Sequence, residues 1–382
     1  MDKGETDRRI SFSRYRIYKL FFFLMLIGGL FSCHVARYVY WNFADVKDYQ
    51  KFPADTIHSD GSQEYLFTKR QDVDIPLPAR YRDDENPDLK TFLGNDKTTA
   101  FSVIRNDSIL FECFFRKYDP ASVLPSFSVA KVFVSTLVGI ALEEGHIKSL
   151  HQTITDYLDG FEHSGFDKIT IEDLLNMQSG IKFSEGYYNP FGEMARFYYG
   201  RNLEHYVYQL KTERPPGETY KYQSANTQIL AMILEKATGK SLPVYLEEKI
   251  WKSLPMQYNA SWNYDSKKHH NTKAFCCINA RLHDYARFAK LFLNDGRWKD
   301  QQIIPSSWVE RILNAQPKFS DDSGYPYYFH WRVMGNGAIF AKGILGQYIY
   351  IRPDKNIIIL RFGKKSGKVE WPVFFNDITD RL

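Results

Sequence analysis

Phe127-Ser128-Val129-Ala130-Lys131 sets a serine and a lysine three residues apart at the start of a strongly helical stretch. Residues i and i+3 of a helix share a face, roughly 5–6 Å apart at Cβ, so Lys131 can touch the Ser128 hydroxyl. A free serine is a weak nucleophile at neutral pH. An amine held neutral by burial can take its proton and let it attack an acyl carbon. The stretch reads as an acyl-transfer site. These five residues alone leave open that Ser128 merely caps the helix.

Context separates this stretch from a second match, Ser179-Gly180-Ile181-Lys182. There, Leu174 to Gly180 looks like a helix end with Gly180 as a left-handed cap, so serine and lysine would not share a face. After Ser128, by contrast, Val132, Leu137, Ile140, Ala141 and Leu142 continue a helix that is apolar nearly all round, until Glu143-Glu144-Gly145. Such a helix belongs between layers of a core.

The chain opens with a membrane signal. Lys3, Arg8, Arg9, Arg14, Arg16 and Lys19 precede an uncharged run, Leu20 to Cys33, that can extend through Ala36. This is short for a spanning helix and longer than the usual apolar core of a cleaved signal. Tyr38, Tyr40 and Trp41 follow as an interfacial aromatic belt, and the basic bias before the run directs the rest of the chain away from the cytoplasm. Leu30-Phe31-Ser32-Cys33 also resembles a bacterial lipoprotein cleavage site. Either reading gives an exported enzyme on a bacterial cell membrane, facing the periplasm or exterior and held by residues 1–43.

Beyond that segment about 340 residues remain, enough for one large domain. The net charge of +5 is modest and much of it lies in the N-terminal segment, which argues against a nucleic-acid partner. Of the four cysteines, Cys33 lies in the anchor and Cys276-Cys277 are neighbours, which rarely bridge each other. At most one bond, from Cys113, is expected, and the spacing offers no zinc site. No metal or cofactor is called for, and the oligomeric state stays open.

Residues 44–97 are polar and punctuated by proline, an extended lead-in arm more than a domain. The domain proper is expected over residues 98–382. Thr98 to Ile104 and Ser108 to Phe115 read as a hairpin turning at Arg105-Asn106-Asp107, and strand character returns in Tyr328 to Met334, Ala338 to Lys342, Gln347 to Ile351 and Ile357 to Phe362. A last helix is expected from about Trp371 to Arg381. Between the two strand regions, residues 145–320 are largely helical. The expected fold is α+β, an α/β/α sandwich whose antiparallel sheet comes from both ends of the domain, with a helical insertion beside it.

A second constellation is Tyr222-Gln223-Ser224, after the turn Arg214 to Glu218 and before a helix from Asn226 to Thr238 closed by Gly239. A tyrosine entering the cleft there can relay protons between nucleophile, lysine and leaving group. Tyr187-Tyr188-Asn189 and Tyr264-Asp265-Ser266 carry the same weak pattern, and only its position after a Pro-Gly turn singles out Tyr222.

Ser128 to Lys131, Pro216 to Ser224 and Gly343-Ile344-Leu345-Gly346-Gln347-Tyr348-Ile349-Tyr350 together resemble the three ordered motifs of the class C β-lactamase-like serine hydrolases. Thr170 to Gly180 and Asn279 to Phe288 fit the same pattern. Within that superfamily the chain is similar to the 6-aminohexanoate-dimer hydrolase and esterase branch, which also prefers serine in the second motif. The resemblance spans roughly residues 98 to 365. It implies that Ser128 forms an acyl-enzyme, Lys131 activates it, and Tyr222 protonates the leaving group and later helps activate water. It further implies an oxyanion hole from the backbone N–H groups of Ser128 and Gln347, with Gly346 letting substrate approach that strand. Asn279 and Tyr187 are candidates to line the acyl pocket.

One departure bears on substrate. Penicillin-recognising members carry Lys or His first in the third motif, where this chain has Ile344, and strand alternation keeps Lys342 from that point. The expectation is a small neutral amide or ester. A peptidoglycan carboxypeptidase or β-lactamase, and a non-catalytic sensor keeping the fold, are the alternatives.

Overall fold

The structure is a computed structural model that describes residues 18–19, 34–41, 43–61, 67–70, 73–161 and 165–382. The apolar run 20–33, with the expected anchor and Cys33, lies outside the described residues. No helix among the described residues is long and apolar enough to cross a membrane.

An eight-stranded sheet carries the fold. In chain order its strands are β1 (Thr68–Lys69), β2 (Thr98–Arg105), β3 (Ser108–Phe114), β4 (Tyr327–Tyr328), β5 (Trp331–Val333), β6 (Ile339–Gly343), β7 (Gln347–Arg352) and β8 (Ile357–Gly363). They lie in the spatial order β4-β5-β6-β7-β8-β2-β3-β1. The join between the two chain ends is the β8–β2 pair, in which Ile357 faces Arg105 and Gly363 faces Thr98. Asn106 and Asp107 both take positive φ, 48° and 61°, the geometry of a two-residue turn whose twist suits a hairpin.

The helices that frame sheet and cavity are α1 (His34–Trp41), α2 (Leu89–Asn95), α3 (Ala130–Glu143), α4 (Glu193–Tyr199), α5 (Ser224–Thr238), α6 (Leu282–Leu293) and α7 (Trp371–Thr379). Strand alternation explains the layers. Ile349, Ile351, Ile358 and Leu360 pack with Val132, Phe133, Phe288 and Phe292 of α3 and α6. Their neighbours Tyr348, Tyr350, Ile357 and Ile359 pack on the opposite face with Phe92, Trp371, Phe374 and Phe375 of α2 and α7. With both faces covered, β7 and β8 are buried along their whole length. Each large apolar side chain so buried contributes about 1.5–3 kcal/mol.

Three expectations need correction. Residues 44–97 are more than an arm. Ala54–Ile57 pairs antiparallel with Ala260–Asn263 in a second sheet, β1 pairs parallel with β3 at the sheet edge, and α2 is capped by the Asp88 carboxylate on Thr91 N at 2.8 Å. The main sheet is therefore antiparallel except at that edge. The helical middle contains short strands, because Ala260–Asn263 and Ile278–Ala280 must pair with chain on either side of them. Finally, Cys276 and Cys277 are bonded to each other, while Cys113 is free and buried on β3.

Candidate active site

Ser128 sits at a forced turn. Leu124–Pro125 pairs with Asn279–Ala280, and Ser126 is clamped by backbone bonds with Ile278 and by its hydroxyl, which accepts from Ile278 N at 3.1 Å and donates to Phe127 O at 3.1 Å. Phe127 then takes φ 44°, a left-handed conformation costing a non-glycine residue about 1–3 kcal/mol and persisting only where neighbours over-determine it. The chain emerges into a short helical turn holding Ser128, and α3 follows at Ala130. Ser128 does not cap the helix.

The helix then aims Lys131 back at Ser128. Lys131 is 1% exposed, and its Nζ lies 3.1 Å from Ser128 Oγ, 3.3 Å from Ser224 Oγ and 2.8 Å from Phe275 O. The carbonyl and Ser224 take two directions around the amine, so the third is fixed toward Ser128. Ser224 is the first residue of α5, and the Glu185 carboxylate accepts from its N–H at 2.8 Å and its hydroxyl at 2.6 Å. Glu185 also accepts from the Tyr187 hydroxyl at 2.9 Å. Burial, together with Glu185 beside it, pushes the Tyr187 phenol well above its ordinary value.

Tyr222 enters as the turn before α5 places it. Lys131 Nζ stands 5.0 Å from its ring centroid, and the Arg332 guanidinium 5.7 Å away on β5. All of this opens on a cavity of ≈ 760 Å³ lined by Ser128, Tyr222, Ser224, Tyr187, Phe275 and Arg332, and walled by Tyr38, Phe43, Met194, Ala195, Tyr198 and Tyr199. Across it stands the β6–β7 hairpin, with Gly343, Ile344 and Leu345 facing in. Gly343 packs so close to the turn before Ser128 that a Cβ there would meet Ser126 O at 2.7 Å. Among the described residues no cluster of three His, Cys, Asp or Glu side chains is assembled that could hold a metal ion.

Ser128, Lys131, Tyr222 and Tyr187 thus converge, but three other candidates do not. Asn279 is buried, and its amide donates to Asn263 Oδ1, Ser261 Oγ and Cys277 O. It ties strands together because β-alternation turns it away from the cavity. Gln347 bridges to β8, donating to Gly363 O at 2.8 Å and accepting from Gly363 N at 3.1 Å. It does not line the cavity; the hairpin backbone that does is Gly343 to Leu345. Gly346, at φ 84°, leaves room for Arg361 and not for substrate, since a Cβ would lie 2.0 Å from the Arg361 guanidinium. Lys342 reaches the cavity edge, but its cross-strand partner is Tyr348, on the sheet face away from α3. The second Ser-x-x-Lys is structural: Ser179 donates to Asn226 Oδ1 at 2.7 Å and Lys182 is exposed.

Glu185, Phe275 and the α1 residues escape sequence reading. Glu185 is one acid in a tyrosine- and glycine-rich loop, 39 residues from the Ser224 it holds. Phe275 acts through its carbonyl, which no side-chain code records. Tyr38, read as part of an interfacial belt, instead buries its ring in the cavity wall and donates to Tyr187 O at 3.0 Å.

Residues 96–370 match the sequence profile of the family described as Beta-lactamase. The chain is similar to a 6-aminohexanoate-dimer hydrolase of Paenarthrobacter ureafaciens, 27% identical over 75% of this chain and 76% of that one. It superposes on a Bacillus anthracis protein assigned to the 6-aminohexanoate-dimer hydrolases with a TM-score of 0.79 and 26% identity, covering 90% of this chain and 94% of that one. A class C β-lactamase mutant shares the fold, with a TM-score of 0.59 and 16% identity over 77% of this chain and 95% of the other.

Proposed function

Because the chain belongs to the Beta-lactamase family and is a serine hydrolase of the amidase and esterase type, we propose that it cleaves a small amide or ester through an acyl-enzyme on Ser128. The observation that carries this reading is the 3.1 Å approach of Lys131 Nζ to Ser128 Oγ at the wall of a substrate-sized cavity. Ser128 Oγ attacks the carbonyl carbon while its proton passes to Lys131. The Tyr222 phenol gives a proton to the departing amine or alcohol and is replenished from Lys131. Water then enters, loses a proton to the same pair, and releases the acid with Ser128 restored. The oxyanion is received by the Ser128 N–H and by an N–H of the hairpin across the cavity. Such fixed donors are worth several kcal/mol at the transition state.

The absence of a cation first in the third motif supports a neutral substrate over a β-lactam or a D-alanyl carboxylate. The name carried by the Paenarthrobacter relative supports a short linear amide. We further propose that the uncharged run from Leu20 holds the enzyme on the outer side of a membrane, as a span or through a lipidated Cys33.

A fluorophosphonate probe tests the nucleophile. Labelling is expected in the wild type and in Ser179→Ala, and absent in Ser128→Ala; labelling that survives Ser128→Ala rejects the assignment. Hydrolysis of a p-nitrophenyl ester without turnover of nitrocefin is the expected substrate pattern. Membrane fractionation of Cys33→Ala distinguishes the two anchors.

A further inference from the structure

The described residues expose eight large apolar side chains; two of them, Phe43 and Tyr188, line the cavity, and Val39, Tyr40 and Phe191 stand near those two in the chain. Val39 and Tyr40 are each 71% exposed, Phe43 50%, Tyr188 81% and Phe191 68%. The five lie on two segments, α1 with the residues just after it and the 186–191 loop. Phe43 and Tyr188 meet edge to face at 5.2 Å, Tyr38 bonds to Tyr187 O, and the His34 ring is hydrogen-bonded to the backbone of Pro190, next to Phe191. α1 and the 186–191 loop are thereby tied together with their apolar groups outward. Isolated exposed apolar groups need no explanation, but a contiguous patch marks a contact surface.

The chain itself says what covers it. The uncharged run Leu20 to Cys33 ends at the residue before α1 begins. An eight-residue helix is only about 12 Å long, so with that run in lipid, α1 and the mouth beside it lie at the interface. Tyrosine suits that depth because one end of its ring is apolar and the other wet, and phenylalanine buries in the apolar part. Lys364 and Lys365 line the same cavity, and Lys368 is exposed three residues on. These positive charges complement anionic headgroups. The cavity is mostly aromatic and aliphatic, with Phe43 and Tyr188 serving both as its wall and as its outer rim.

We infer that the mouth of the catalytic cavity rests on a lipid bilayer, and that its substrate is an amphiphile whose apolar chain enters from the lipid while its ester or amide carbonyl reaches Ser128. The substrate part of this inference rests on the hydrolase reading above, and the surface on the proposed membrane anchor.

The test uses the full chain in vesicles of phosphatidylethanolamine and phosphatidylglycerol. p-Benzoylphenylalanine is placed at Phe191, far in sequence from the run, and at Val39, with Tyr208 and Val244 as exposed control positions. Crosslinking to labelled phospholipid at Phe191 is expected to exceed both controls by at least about five-fold, the contrast of lipid-facing against aqueous sites. Crosslinking no stronger than the controls, or to a second protein chain, overturns the surface. The triple variant Val39→Ser, Tyr40→Ser, Phe191→Ser is then compared on p-nitrophenyl butyrate in solution and on p-nitrophenyl palmitate in the vesicles. A loss of roughly ten-fold in kcat/KM on the palmitate, with the butyrate within about two-fold, is the expected result. Equal effects on both esters overturn the entry route. Hydrolysis of neither ester by the wild type rejects the hydrolase reading and with it the amphiphile, while the crosslinks still decide the surface.

Discussion

Glu185 grips Ser224 with both carboxylate oxygens, one on the backbone N–H at 2.8 Å and one on the hydroxyl at 2.6 Å. The Ser224 proton is thereby directed at Glu185, and the lone pairs of its oxygen are left for Lys131 at 3.3 Å. A hydroxyl free to rotate would sometimes offer Lys131 a hydrogen instead. Glu185 therefore acts on Lys131 at one remove.

Glu185→Gln is expected to lower kcat about 10- to 100-fold with a smaller change in KM, because the lost interaction serves the chemical step. Ser224→Ala should cost a similar amount, and the double variant should be no worse than the more damaging single one, since both act through one network. Steady-state kinetics on a p-nitrophenyl ester read all three. Additive losses would show that Glu185 does not work through Ser224.

The two hairpin glycines should fail in different ways. At Gly346 both the positive φ and the Arg361 guanidinium oppose a side chain. Gly346→Ala is expected to destabilise the fold by about 2–4 kcal/mol. At Gly343 the obstacle is the Ser126 carbonyl beside the nucleophile, so Gly343→Ala should spread the hairpin from Ser128 and cut kcat by more than about ten-fold. Thermal unfolding together with kinetics separates the two.

Cys113 should be inert in the native chain. Burial pushes its thiol up to about 12, and a protonated, enclosed sulfur neither alkylates nor exchanges. Iodoacetamide at pH 8 is expected to leave it untouched until denaturant is added, with peptide mass spectrometry as the readout. Modification of Cys113 in the folded protein would contradict the packing of β3.

Glu247 gives the fold an acid-sensitive clasp. Burial would raise its carboxyl, but hydrogen bonds from the His58 backbone and Lys252, with His58's ring beside it, bring it down to about 2. A carboxyl near 4.5 in the unfolded chain and about 2 in the folded one lends stability that is complete above pH 4.5 and lost as pH falls toward 2. Glu247→Gln should therefore lower Tm at pH 7 by about 2–5 °C, with the gap from wild type closing as the pH is lowered. A gap that persists at pH 2 would place the effect elsewhere than in ionisation.

How much of this was legible in the sequence depends on whether a residue acts through its side chain and its local pattern. The β2–β3 hairpin, the buried α3 and the last three long strands follow from alternation, turn residues and apolar runs, all local signals. Ser128 lies in the helical turn that runs directly into Lys131's helix, so their meeting can be read from spacing. Tyr222 stands out from the other tyrosines only by its place between a Pro-Gly turn and a helix, and the resemblance supplies its role. Glu185 could not be found, because a loop carboxylate looks like any solvated one until the fold delivers it to Ser224. Gly346 lies on the expected hairpin but beside Arg361, since one-residue alternation decides whether a group meets the cavity or Arg361. The Cys276–Cys277 bond ran against the expectation for neighbours. The strands of residues 44–97 escape sequence patterning because they are short and one finds its partner some 200 residues away, as Asp55 does opposite Trp262.

The pairing of β2 with β8 sets Arg105 against Ile357. During synthesis Ser128 and α3 are thus made long before the strands they pack against, and the hairpin that faces Ser128 arrives only with residues 339–352. Until then the polypeptide carries its reactive serine without a completed pocket. Closure of the sheet by these distal strands is therefore the step that completes the cavity wall facing Ser128.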